Sequence, residues 1–176
     1  MDNIAQQIKI MNAKHFRNIK RILYNKFYIF SDFKEASVKQ DMEEGFDSII
    51  TLTSPEIKIP IRIRKNEYLK YSDITIRSVS NYNMKTEIHK IREGLGDFYF
   101  YAWETENGKS FSQYCILDLE KFRTSGLIDK PTIRDKPNKY GDNTKFNIYS
   151  IGPLSVNGII KVYENFEKVK QPMTLF

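Results

Sequence analysis

Isoleucine recurs at every second position in Ile57-Lys-Ile-Pro-Ile-Arg-Ile-Arg64. A period of two is that of a β-strand, which hides Ile57, Ile59, Ile61 and Ile63 on one side. Lys58, Pro60, Arg62 and Arg64 then occupy the other side, and they read as an exposed face bearing only cations. Upstream, the acidic run Asp41-Met-Glu-Glu-Gly-Phe-Asp47 leads into a second strand, expected near 47–53. Ser54-Pro-Glu56 is short enough to join the two as a hairpin.

Around this hairpin the periodicity changes. Ile4, Ile8, Met11, Ile19, Leu23 and Phe27 fall on one stripe of a helix over 4–27, with Lys or Arg filling most of the rest. Ser31 is placed as the N-cap of a second, shorter helix reaching Glu44 and stopping at Gly45, although Lys34 stands where a capping box wants an acid. A strand is expected near 73–78, then a short helix from Thr86 to Gly94. Asp97–Trp103 and Phe111–Leu117 read as strands joined by the turn Glu106-Asn-Gly-Lys109. Asp118 starts a brief helix through Arg123. Residues 129–144, with Pro131, Pro137 and Gly141, show no period and read as a loop. Phe146–Ile151 is a last strand, and Leu154–Val162 a mixed element. The order predicts an α+β fold with a mixed central sheet flanked by helices. One domain is expected over 1–165, with a frayed tail over 166–176.

Composition narrows the function classes. A chain of 176 residues with 12 Phe and 11 Tyr can bury one sizeable core. No apolar run approaches the roughly 20 residues that cross a bilayer, so no membrane partner is expected. The N-terminus has no apolar stretch leading to a small-residue cleavage site. Cys115 is the only cysteine, which precludes an internal disulfide and suits a reducing, cytoplasmic location. It sits in the apolar run Tyr114-Cys-Ile-Leu117 and reads as a packing thiol rather than a nucleophile. The formal net charge of +6 favours an anionic partner, nucleic acid above all. Cations concentrate in residues 1–30, where Lys9, Lys14, Arg17, Lys20, Arg21 and Lys26 face Asp2 alone; acids dominate 31–56. A phosphate-binding surface beside a cation site would look like this, and so would a solvated helix followed by an acidic cap.

Most catalytic patterns are absent from the sequence. His15 and His89 are too few and too far apart for a zinc site, and His89 reads as a surface helix residue. Gly94-Leu-Gly96 reads as a helix stop, and no Gly-x-Ser-x-Gly, Walker or Rossmann pattern occurs. Trp103 reads as core. What remains is an acid at one strand, Asp47, beside cations on the next. That arrangement suits phosphodiester hydrolysis, in which a divalent ion activates water and cations neutralise the developing charge. Asp47 as a turn acid and the cations as a solvated face are the plainer alternatives.

The order of these pieces resembles the PD-(D/E)XK nuclease superfamily, and within it small phage-type members. The resemblance rests on the Gly-Phe-Asp47 strand, Ile61-Arg-Ile-Arg64, Asp73-Ile-Thr-Ile-Arg77, Thr86-Glu-Ile-His-Lys-Ile91 and Gly94-Leu-Gly-Asp-Phe-Tyr99, over roughly residues 30–123. It implies a restriction-endonuclease-like fold and a DNA endonuclease dependent on Mg²⁺ or Mn²⁺. Asp47 matches the metal-binding acid, and Arg62 the lysine of the acid-x-Lys motif. Pro60 stands where that motif has its second acid, so Glu56, Asp41 or Glu87 would have to supply the carboxylate. Arginine stays protonated and cannot act as a base, which makes Arg62 a phosphate clamp. Lys58, Arg64 and Arg77, with Lys14, Arg17 and Arg21, are the expected nucleic-acid contacts. Loss of the second acid also fits a non-catalytic module that binds nucleic acid or a protein.

Overall fold

The computed structural model describes residues 2–26, 30–35, 37, 48–52, 56–80, 85–138 and 143–166. The long helix α1 (Asp2–Lys26) is followed by strands β1 (Phe30–Glu35), β2 (Ser48–Leu52), β3 (Glu56–Ile59) and β4 (Ile61–Arg64). β1, β2 and β3 pair antiparallel in that order. β3 runs into β4 through one residue, Pro60, where the strand takes a new neighbour. β4 pairs in parallel with β6 (Phe98–Glu104), which pairs antiparallel with β7 (Phe111–Asp118), and β10 (Ile160–Asn165) closes the edge. Proline has no N–H to give to a ladder, so it is tolerated at this changeover. Its carbonyl still accepts from Phe100 N at 3.0 Å.

A third sheet, antiparallel like that of β1, β2 and β3, has the order β5 (Asp73–Val79), β9 (Lys145–Ser150), β8 (Ile133–Pro137). The short helices α2 (Glu87–Arg92), α3 (Leu119–Thr124) and α4 (Ile151–Val156) complete an α+β fold in which a mixed sheet is flanked by helices. No helix is long and apolar enough to cross a membrane among the described residues.

The period-two strand explains the layering. Ile59, Ile61 and Ile63 are buried with Ile19 and Leu23 of α1, Phe100, Ala102, Tyr114 and Ile116. The opposite side of the mixed sheet supplies Tyr99, Tyr101, Trp103, Cys115 and Leu117 to a second cluster with Ile74 and Ile76 of β5 and Ile88 and Ile91 of α2. Trp103 and Cys115 are fully buried, as their apolar runs suggest. Burial of the aromatic and branched side chains on both sides, at about 1.5–3 kcal/mol each, is the main stabilising term.

Three expectations fail or fall elsewhere. Ser31 caps no helix: Phe30–Glu35 is a strand paired with β2 from Phe30↔Leu52 to Glu35↔Ser48. Without an acid at N3 the cap was weak, and strand pairing overrode it. The helix expected to reach Glu44 lies outside the described residues. The loop over 129–144 contains β8, paired to β9 at Ile133↔Ile148 and Lys136↔Phe146. All five β8 residues are exposed, so an edge strand with no buried side leaves no alternation to read.

Candidate functional site

The cations of β4 do not form an exposed face, which corrects the reading made from the strand period. Arg62 and Arg64 point into the layer between the mixed sheet and β5 and α2, with side chains only 21% and 16% exposed. Arg62 Nη1 reaches both carboxylate oxygens of Glu87, at 2.9 and 3.0 Å. Its guanidinium also lies over the Phe146 ring, 5.2 Å from the centroid. Burial works against the Arg62 charge, but Glu87, with Tyr99 and Tyr101, more than offsets it and raises the pKa. Arg64 Nη1 donates to Thr75 Oγ1 at 3.1 Å and to Tyr101 OH at 3.2 Å, and its guanidinium stacks 4.2 Å over Tyr68. Asp73 Oδ1 stands 3.5 Å from Arg64 Nη1 without a hydrogen bond. Burial pushes the Asp73 carboxyl up, and Arg64 and Lys136 only partly oppose it.

Glu87 is the hub of this layer. It opens α2, and its Oε2 also accepts from Arg77 N at 2.9 Å. Among the described residues three of the roughly four acceptor positions of the carboxylate are therefore filled, leaving one on Oε1. Beside it lies a cavity of about 10 Å³ lined by Pro60, Glu87, Lys90, Ile91, Leu95 and Tyr99. That is about the room one water needs. Gly96 makes the close packing here possible: at φ +84 it has no Cβ, which would come within 3.1–3.2 Å of Leu119 and Pro60. On the next residue, Asp97, Oδ2 accepts from Lys58 N at 2.7 Å, while Asp97 N donates to Lys58 O at 2.8 Å.

The expected site residues separate into groups. Arg62, Glu87 and the backbone of Arg77 meet directly. Lys58 is half-buried two residues before Pro60, on the same side of the strand. Arg77 is half-buried, and its Nε is buried without a hydrogen-bond partner among the described residues. Glu56 opens β3 opposite Thr51. Asp41 and Asp47 lie outside the described residues, although Asp47 precedes Ser48, which pairs with Ile59 next to Pro60. Lys14, Arg17 and Arg21 are exposed on α1, which packs on the other side of the mixed sheet.

Two features escaped the sequence. Lys90 lines the cavity three residues after Glu87; the Glu-x-x-Lys spacing of a helix that puts both on one side was the available signal. His15 is buried, with Nε2 2.7 Å from Glu104 Oε1 and its ring 4.8 Å from that of Phe111. Its partner lies 89 residues away, so no local pattern marks it. His89 is exposed on α2, as expected.

Among the described residues no three His, Cys, Asp or Glu side chains are grouped to hold an ion. The cavity beside Glu87 has room for about one water, and Glu87 is the one carboxylate that lines it, so the described residues offer a divalent ion a single ligand there. No protein-family model, curated protein or solved structure matches the chain.

Proposed function

We propose that this chain is a nucleic-acid-processing protein of the cytoplasm, a divalent-metal-dependent DNA endonuclease that hydrolyses phosphodiester bonds beside Pro60. One observation carries the reading: where the strand has proline instead of an acid, α2 presents Glu87 and Lys90 to the same cavity. The resemblance to PD-(D/E)XK nucleases supports it, as does the passage of the chain from Asp47 into Ser48, one ladder position from Pro60.

Asp47 and Glu87 would hold Mg²⁺ or Mn²⁺, which when bound supplies an activated water and neutralises charge on the phosphate. Arg62 fixes the Glu87 carboxylate and stays protonated throughout, so it orients a ligand and removes no proton. Lys90, three residues along α2 on the same side as Glu87, offers the phosphate a point charge, the part first expected of Arg62. Tyr99 and Leu95 complete the lining of the cavity.

A second reading has its own observation. Arg62 contacts both oxygens of Glu87 and neutralises much of its charge, which favours a non-catalytic module that binds nucleic acid or a protein.

Purified protein incubated with supercoiled plasmid decides between them. Nicking that needs Mg²⁺ or Mn²⁺, stops with chelator and disappears in Asp47→Ala supports the enzyme. Intact supercoiled, linear and branched DNA in both metals contradicts it.

A further inference from the structure

The outer side of α1 is a basic ridge unconnected with the cavity. Ile10, Lys14, Arg17, Arg21 and Tyr24 follow one another at spacings of four, three, four and three residues, which keeps them on one side of a helix. All five are exposed, as are Ala13 and Lys20 beside them. The opposite side of α1, with His15, Ile19 and Leu23, is buried against the sheet. The only acid in the whole 25-residue helix is Asp2. Lys14 shares its ammonium with Glu104 at 3.5 Å. Arg17, Lys20 and Arg21 make no ion pair with the described residues. Lys14 to Arg21 spans about 10 Å along the axis, at 1.5 Å per residue.

We infer that this ridge is a second nucleic-acid-binding surface, one that tracks the phosphate backbone of duplex DNA without reading its sequence. Charge complementarity chooses the partner: three cations without an acid among the described residues and one shared, in a row, match a polyanion of regular repeat. A lipid surface fits less well, because the apolar side that would enter a bilayer interface is already buried under the sheet. The ridge and the cavity lie on opposite sides of the mixed sheet, so one straight duplex segment does not touch both. The inference takes from the proposed function only the class of polyanion; binding here requires neither metal nor hydrolysis.

The test measures binding of two labelled 20-base-pair duplexes of unrelated sequence, with chelator present, over a series of salt concentrations. Wild type is expected to bind both alike, and the Arg17→Gln/Lys20→Gln/Arg21→Gln variant to bind both more weakly. The logarithmic salt slope should shrink by about three, roughly one for each phosphate no longer neutralised. The Arg17→Lys/Arg21→Lys variant should keep the wild-type slope, since the charge is retained. An unchanged slope in the triple variant, with its circular dichroism and Tm also unchanged, overturns the inference. So does displacement of the duplex by phosphatidylserine vesicles that bind wild type more tightly. Loss of duplex binding in the triple variant, with no metal-dependent cleavage by wild type, sustains the ridge and rejects the enzyme. Cleavage by a triple variant of unchanged slope does the reverse.

Discussion

Arg62 and Glu87 join β4 to α2 through one nitrogen that contacts both oxygens of the carboxylate, at 2.9 and 3.0 Å. The pair is partly buried, so it is worth more than a surface bridge and less than a dry one. Arg62→Ala leaves the carboxylate facing a hydrophobic layer. We expect it to cost about 1–3 kcal/mol of unfolding free energy in urea titrations. A double-mutant cycle with Glu87→Gln should return a coupling of at least about 0.5 kcal/mol, as contacting residues do. Additive single effects would show the pair to be structurally idle.

Tyr101 ties three strands together. Its hydroxyl lies 3.2 Å from Thr75 N, 3.0 Å from Thr75 Oγ1 and 3.2 Å from Arg64 Nη1. Tyr101→Phe keeps the ring but leaves these buried polar groups short of a partner. The expected loss is about 1–3 kcal/mol, with the far-ultraviolet spectrum unchanged. A loss below the measurement error would mean that the hydroxyl contributes nothing.

Asp73 and Glu164 carry opposite acid dependences. Burial raises the Asp73 carboxyl above its ordinary value, so the native state holds this proton more tightly than the unfolded chain. Its contribution is therefore fully present below the unfolded value of about 3.9 and is lost as pH rises through the native one. For Glu164, partial burial is outweighed by hydrogen bonds from Lys26 and Tyr114, and the carboxyl is lowered. Its contribution is present above the unfolded value and is lost as pH falls through the native one. Comparing Tm from below the ordinary carboxylate range up to neutral pH, Glu164→Gln should lose on wild type as pH rises to the unfolded value, and Asp73→Asn should gain as pH rises above it. Parallel curves for all three proteins would refute both assignments.

Cys115 is fully buried between β6 and β10, and burial pushes its thiol up. A thiol reagent should label it no faster than the protein unfolds, and stoichiometrically in denaturant. Rapid labelling of the native protein would place the thiol at an accessible surface.

Residues 57–64 show what a sequence can and cannot disclose. Their period of two located Ile59, Ile61 and Ile63 correctly, because burial on one side leaves alternation in the chain itself. The same period says nothing about what covers the other side. Arg62 and Arg64 looked solvated because charge is usually exposed; Glu87, Asp73 and Thr75, which surround them, come from other elements, with Thr75 11 residues and Glu87 25 residues along the chain from its arginine. Local rules found the Asp118 cap, whose Oδ1 accepts from Lys121 N at 2.9 Å, and the helix after Thr86. They missed β8 because an edge strand need not hide a side. The cavity beside Pro60 was half legible: the sequence marked the proline, but only the fold brings Glu87 and Lys90 of α2 to it.

In the proposed enzyme, Glu87 is the carboxylate that replaces the strand's missing acid. The most direct measurement is the single-turnover rate of plasmid nicking by Glu87→Gln against wild type, at equal Mg²⁺ or Mn²⁺ and with folding checked by Tm. Gln keeps the shape and an acceptor oxygen but removes the charge, so the expected result is a folded protein slowed at least about 100-fold, the scale of losing one charge-stabilising group. A folded Glu87→Gln protein that nicks DNA at the wild-type rate would contradict it.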